Sequence, residues 1–331
     1  MKATNGEKID IEQDYNFLIL CNNIIVDILK YATEHNWSSE KIDIKERDKN
    51  KFNSSKYDLF YWRTHGYARV INRSLYKHMI FSIVSDYNKY VFDAIDCASK
   101  YHFGPAFTLL RKPFKDDLLL LEMLYTKGHR FIPYFLNNPI QELAIDKIAK
   151  NPKRLKNILR KSCKKLNFFT GAKMYNLRYS KKSKESLEKI WNKTSHIITN
   201  HKSYATENGN LNIIFATDEI VEEHIVYFYK VCCSIQLYFV QLLLRILKDE
   251  NLISEEIYNK NIINLYFAFS CTLDEDIPKE IARALIVKCE SCGNQFQITK
   301  EIIKDNNKNK TFNYRCSKCQ KVTLINGFVN L

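Results

Sequence analysis

Apolar residues recur every three or four positions along most of this chain. Between Phe17 and His35, the apolar positions Leu18, Ile25, Ile28 and Leu29 follow helical spacing, which predicts a first amphipathic helix. From Val70 to Lys100 the period is sustained. Ile80, Ile83, Val84, Tyr87, Val91, Ala94, Ile95 and Ala98 step by three and four, and Asp86, Lys89, Asp93 and Asp96 occupy much of the remaining surface. Phe103-Gly104-Pro105 breaks the pattern. A further helix is predicted from about Ala106 to Tyr125, kinked or restarted at Pro113, which has no amide N–H to give. Asn138-Pro139-Ile140-Gln141 has the form of an N-cap with a reciprocal glutamine, opening a helix to Ala149. Asn151-Pro152 opens the next. Helices are also expected over Ser183–Ile197, over Asp218–Leu247 and after a cap at Ser254. Residues 1–16 read as a flexible tail and 36–66 as a polar loop with short elements. The Glu-Asn-Gly-Asn run inside Tyr204–Phe215 predicts one short β-hairpin.

Composition agrees with this pattern. Eight Gly and six Pro in 331 residues are too few for turn-rich sandwiches or barrels. The expected fold class is mainly α: a helical bundle over 17–271, a connector over 272–286 and a small β module over 287–331. No membrane insertion is expected. The most apolar stretch, Val226 to Leu247, is broken by Lys230, Gln236, Gln241 and Arg245, and the N-terminus lacks the basic start and apolar core of a signal peptide. This predicts a cytoplasmic protein. Cys21, Cys97, Cys163, Cys232, Cys233 and Cys271 then read as small buried hydrophobes rather than disulfide partners.

The remaining four of the ten cysteines form two Cys-x-x-Cys pairs, Cys289/Cys292 and Cys316/Cys319, separated by 23 residues. Each pair can present two thiolates to one side of a tetrahedral ion, so all four are candidate ligands of one structural Zn2+ with no open position for catalysis. Gly293 supplies backbone freedom after the first pair. Phe296-Gln297-Ile298 and Val322–Ile325 are the expected strands, Phe312–Arg315 leads into the second pair, and Asp305–Lys310 reads as a polar turn. Residues 287–328 resemble the zinc ribbon family, whose members commonly bind nucleic acid or proteins. That resemblance implies a module folded largely by its metal.

Charge is unevenly placed. The stretch from Lys147 to Lys184 holds 14 of the 51 Lys and Arg and no acid, leaving 37 basic against 37 acidic residues elsewhere. Its first half is a basic amphipathic helix: Leu155, Ile158, Leu159 and Leu166 keep apolar spacing, with cations mostly on the other side. Its second half interleaves cations with Phe168, Phe169, Tyr175 and Tyr179. Lys153, Arg154, Lys156, Arg160, Lys161, Lys164, Lys165, Lys173 and Arg178 are therefore candidate contacts to nucleic acid or another polyanion. A merely solvated lysine face is one alternative, since Lys is abundant throughout the chain, and an acidic membrane surface or protein partner is another.

Phosphate loops, dinucleotide fingerprints, nucleophile elbows and the His-Glu-x-x-His motif are absent from the sequence. The run from Leu109 to Glu122 on a helix following a long helix, with Trp191–His196 much later, resembles the all-helical HEPN-like domains of bacterial toxin–antitoxin and phage-defence proteins. Many of these are metal-independent ribonucleases that use Arg and His. The resemblance implies Arg73 and His78 as a catalytic pair, across a homodimer two-fold. Arg111, Glu122 and His196 form a second candidate group, with a structural ion-pair cluster around Asp116 and Asp117 as its alternative. Three functions stay open: a nucleic-acid-associated zinc-ribbon protein, for which the resemblance implies a bacterial defence or regulatory setting, a HEPN-type ribonuclease, and a protein-interaction scaffold.

Overall fold

The computed structural model describes residues 10–53, 58–166, 168–198, 200, 205–209, 211–212, 218–273 and 277–329. The chain is mainly α, with two small antiparallel two-stranded sheets near the C-terminus. The helices that build the body are α1 (Glu12–Glu34), α2 (Ala68–Ser99), α3 (Phe103–Arg111), α4 (Leu118–Lys127) and α5 (Phe131–Asn137). They continue with α6 (Pro152–Cys163), α7 (Gly171–Arg178), α8 (Leu187–Ser195), α9 (Asp218–Asp249) and α10 (Glu255–Ser270).

The centre is α9. Its side chains from Leu237 to Leu244 are buried all round, including Gln241, because α1 and α10 cover it on different sides. Tyr87 of α2 stacks on Phe239 of α9 with ring centroids 3.6 Å apart. Among the described residues α9 alone is long and apolar enough to cross a membrane, and 83% of its most apolar window is buried inside the fold.

Local sequence accounts for most helix ends. The side chain of Asn151 accepts the Arg154 amide at 3.1 Å, and Ser254 accepts that of Ile257 at 3.2 Å, each satisfying a donor the first helical turn leaves free. Pro113 does disturb its helix. Residues Lys112–Asp117 widen into a π-helical turn between α3 and α4. Two expectations are corrected. Residues 140–149 form two short turns, Ile140–Leu143 and Ile145–Ala149, because the backbone leaves the helical region at Ala144 (ψ 120°) between them; the Asn138 side chain donates to the Tyr134 carbonyl (2.7 Å) and caps neither. The first helix starts at Glu12, inside the expected tail, because Gln13 is buried against the C-terminal module. Residues 1–9 of that tail lie outside the described residues. The hairpin expected over Tyr204–Phe215 lies partly outside them too. Its described residues form a turn with Gly209 at φ +79° and no strand, and Asn212 is bonded to the Ile197 and His196 carbonyls.

The C-terminal module consists of two hairpins bridged by a helix. Strand β1 (Ile286–Lys288) pairs with β2 (Gln295–Gln297), and β3 (Asn313–Arg315) pairs with β4 (Val322–Leu324). Between them runs α11 (Lys300–Asn309), where a polar turn was expected over Asp305–Lys310. Thr299 caps α11, Ile303 and Asn306 face inward, and Lys310 ends it in the left-handed conformation. The Asn306 side chain donates to the Asn313 carbonyl at 2.8 Å and accepts the Asn313 amide at 2.7 Å, tying helix to strand.

This module shares the body's core. Val287, Ile298, Ile303, Phe312, Tyr314 and Ile325 join the same apolar cluster as α1, α9 and α10. Tyr314 lies edge-on to Phe267 of α10 (5.9 Å) and to Phe296 (6.0 Å). Around that contact, Gln13 donates to the Thr311 carbonyl (3.0 Å), Asp27 accepts the Phe328 amide (3.2 Å) and Asn261 bonds both backbone groups of Val329.

Candidate metal centre and basic surface

The two cysteine pairs occupy equivalent turns. In the first, the Cys289 amide donates to the Asn294 carbonyl (2.8 Å) and the Gly293 amide returns to the Cys289 carbonyl (2.8 Å). In the second, Cys316 donates to Lys321 (2.9 Å) and Gln320 to Cys316 (3.0 Å). The residue after each second cysteine has positive φ: Gly293 at +70° and Gln320 at +59°. Glycine adopts that conformation freely; Gln320 accepts strain there. Both turns aim their sulfurs inward, so the four thiols lie within 4.8 Å of one another. The contacts between turns are 3.5 Å for Cys289–Cys319 and 3.6 Å for Cys292–Cys316. Four sulfurs around one ion at about 2.3 Å would stand about 3.8 Å apart.

The surroundings favour thiolates but cannot hold four unaided. Backbone N–H groups of Cys319 and Lys318 aimed at Cys316 bring its thiol down to about 6. Those of Cys292 and Ser291 lower Cys289. Cys319 accepts the Lys321 N–H, which favours its anion, yet the sulfur of Cys289 beside it raises it to about 11. Like charges this close ionise together only if a cation sits between them. The donor set therefore fits a metal ion held by Cys289, Cys292, Cys316 and Cys319.

The basic stretch divides into surface and core. On α6 the exposed arc carries Lys153, Lys156, Arg160, Lys161 and Lys164, while Leu155, Leu159, Ser162 and Cys163 are buried. Within 153–165, among the described residues, only Lys165 has a carboxylate partner, Asp249 at 3.1 Å. Cations from other elements join this face. Lys127, at the end of α4, sits over the Tyr134 ring (4.0 Å), and Arg154 donates to the Tyr134 hydroxyl (2.7 Å). Burial, then Arg154 and Lys161, lower the Lys127 pKa, as a crowded positive surface should. On the opposite flank Lys156 lies over Tyr175 (4.5 Å) and Lys173 over Phe168 (4.4 Å). The helices α6 and α7 meet closely at Gly171, where a Cβ would stand 2.6 Å from the Arg160 amide nitrogen.

Arg178 leaves the polyanion set. It is fully buried, its Nη1 is 2.6 Å from Glu122 Oε1, its Nε donates to the Phe114 carbonyl (2.6 Å) and its Nη2 to the Tyr179 hydroxyl (2.9 Å). Tyr179 in turn donates to the Lys115 carbonyl, and Tyr238 to Glu122 Oε1 at 2.9 Å. Phe114 and Lys115 belong to the wide turn at Pro113. The guanidinium thus staples that turn to α4 and α7 from inside.

The two candidate catalytic groups are not assembled. Arg73 is ion-paired with Glu40 (3.0 Å), which also binds Lys77 (2.6 Å). His78 is exposed in a groove between α1 and α2, and five helical positions separate the two by about 140° around the axis. Glu122 is enclosed with Arg178, whereas Arg111 and His196 are exposed. Around the π turn the geometry is that of an ion-pair cluster: Lys112 with Asp86, and Lys115 with Glu188 at 2.7 Å. Beside it, burial and then Asp86 push Asp117 up to about 7, against Lys112. Comparisons of the chain with protein-family models, with curated proteins and with solved structures give no match, so neither the zinc ribbon nor the HEPN-like resemblance gains a relative from them.

Proposed function

We propose that this is a nucleic-acid-binding protein in which a structural Zn2+ on the four cysteines clasps the two hairpins of the C-terminal module together, and that α6 is its phosphate-binding element. The observation that carries the reading is the solvent face of α6. Five cations share one exposed arc without a carboxylate among the described residues, and Lys127 and Arg154 extend it across Tyr134. Such a surface repels itself unless anions neutralise it, and a phosphodiester chain supplies them at regular spacing. Thiolate donors in a closed tetrahedral set select zinc over harder divalent ions and leave no ligand position for chemistry, so the metal's part is structural.

The test is affinity for a labelled random-sequence RNA and DNA as a function of salt. Log K should fall linearly with log salt, by roughly 0.7 to 0.9 per phosphate neutralised. Replacing Lys153, Lys156, Lys161 and Lys164 by Gln should reduce that slope by about 3 and leave folding intact. Binding that is flat in salt, or a slope unchanged by the four substitutions, returns these lysines to a merely solvated face and leaves a protein-interaction scaffold.

A further inference from the structure

We propose that the outer edge and face of β4 receive an acidic, extended peptide segment as an added strand, independently of the α6 surface. The backbone pattern comes first. Cys316 donates to Lys321 and Ile325 to Phe312, which places Tyr314 opposite Thr323 in a mutually bonded pair. The N–H and C=O groups of Val322 and Leu324 therefore point away from β3. Each sheet here has only two strands, so among the described residues that edge pairs with nothing. A row of free donors and acceptors is the standing template for strand addition.

The side chains narrow the partner. Val322 and Leu324 are 48% and 62% exposed, and they share the outer face with Arg315, which stands directly across from Val322. Apolar residues this open on a small module are what a strand's alternate side chains would cover. Lys318 and Lys321 are exposed on the adjoining cysteine turn, and from Asn306 to the last residue the sequence contains five Lys and Arg and no acid. None of Arg315, Lys318 or Lys321 has a carboxylate partner among the described residues. A second copy would bring like charges edge to edge, which disfavours self-pairing. In a segment alternating Asp or Glu with Val, Ile or Leu, the backbone would satisfy the edge and the apolar set would cover Val322 and Leu324, while the acids would fall on the other face, the side to which alternation assigns Lys321, within the field of Arg315 and Lys318.

The experiment uses the full, metal-loaded chain and fluorescence anisotropy with three labelled nonapeptides. One alternates acidic and β-branched residues, one replaces its acids by lysine, and one is the acidic peptide N-methylated at alternate amides. The acidic peptide should bind, and the lysine and N-methylated peptides should each bind at least about 10-fold more weakly. The double variant Val322→Thr/Leu324→Thr, which keeps strand propensity, should weaken the acidic peptide by about 10-fold, and Lys153→Gln should leave it unchanged. No binding of the acidic peptide up to about 1 mM overturns the proposal. So does indifference to N-methylation or to the Val322/Leu324 change. If an oligonucleotide displaces the peptide and loses affinity on the same double change, the face belongs to nucleic acid and the proposal also falls.

Discussion

Replacing Arg178 by Met removes a charge, three hydrogen bonds and the clasp on the π turn, while keeping most of the side-chain volume. Glu122 then retains only the Tyr238 hydroxyl at 2.9 Å, and the Phe114 carbonyl loses the Nε donor at 2.6 Å. Breaking a buried ion pair costs about 3–5 kcal/mol, and losing the hydrogen bond to the Phe114 carbonyl about 0.5–1.5 kcal/mol. A net loss of roughly 4–6 kcal/mol is expected, a large share of the roughly 5–15 kcal/mol typical of a folded domain. The double variant Glu122→Leu/Arg178→Met should be less destabilised than Arg178→Met, because no charge is left behind in the core. The pH dependence gives a second signature. Burial already pushes the Glu122 carboxyl up, against the pull of Arg178. Without Arg178 it rises further, so the folded state holds a proton that the unfolded state releases, and stability falls as pH rises through the carboxylate range. Urea unfolding of the metal-loaded chain should therefore show a smaller loss for Arg178→Met at pH 5 than at pH 8. A loss below about 1 kcal/mol, together with a reduced salt slope for nucleic acid, would show that the guanidinium reaches solvent after all and would refute the assignment.

Other perturbations separate close packing, titration and metal binding. Gly171→Ala drives a Cβ to 2.6 Å from the Arg160 nitrogen and 2.9 Å from the Leu159 carbonyl carbon, and should cost about 1–3 kcal/mol in urea unfolding. Gly104→Ala, with nothing within 4 Å of its Cβ, should be neutral or stabilise by up to about 1 kcal/mol. Asp117, raised from 3.8 to about 7, keeps its proton in the folded state over that interval while the unfolded chain releases it. The Asp117 contribution to stability should therefore decline from pH 4 to pH 7, so in a pH series the wild-type unfolding midpoint should fall relative to that of Asp117→Asn. Chelating the metal, or Cys316→Ser, should release hydrogen-exchange protection across 286–329 while the amides of α9 stay protected.

How much of the fold is legible in the chain depends on the range of the interactions involved. The cysteine turns are legible because two residues of spacing fix where two sulfurs point, and α9 because its apolar period is long and continuous. Arg178 is not, because counting charge along 147–184 registers composition and not direction. The available clue is the spacing of Met174, Leu177 and Arg178, which all lie on the buried side of α7. Similarly, α11 is hidden by its Asn and Lys content, although Thr299 before Ile302, Ile303 and Asn306 carries a cap and an inward face. Helical residues before Phe17 depend on Gln13 meeting Thr311, a contact 298 positions away that no local pattern announces. Lys127 and Tyr134 join the basic face only through the packing of α4 and α5 beside α6.

In the proposed function one Zn2+ held by four sulfurs clasps the two hairpins of the C-terminal module. Elemental analysis of the purified chain, produced without added chelator, is the decisive measurement. The expected result is one zinc per chain with no freely reactive thiol among Cys289, Cys292, Cys316 and Cys319, and zinc lost in Cys316→Ser. Metal-free protein with all four thiols open to alkylation, unfolding at the same urea concentration whether or not zinc is supplied, would contradict it.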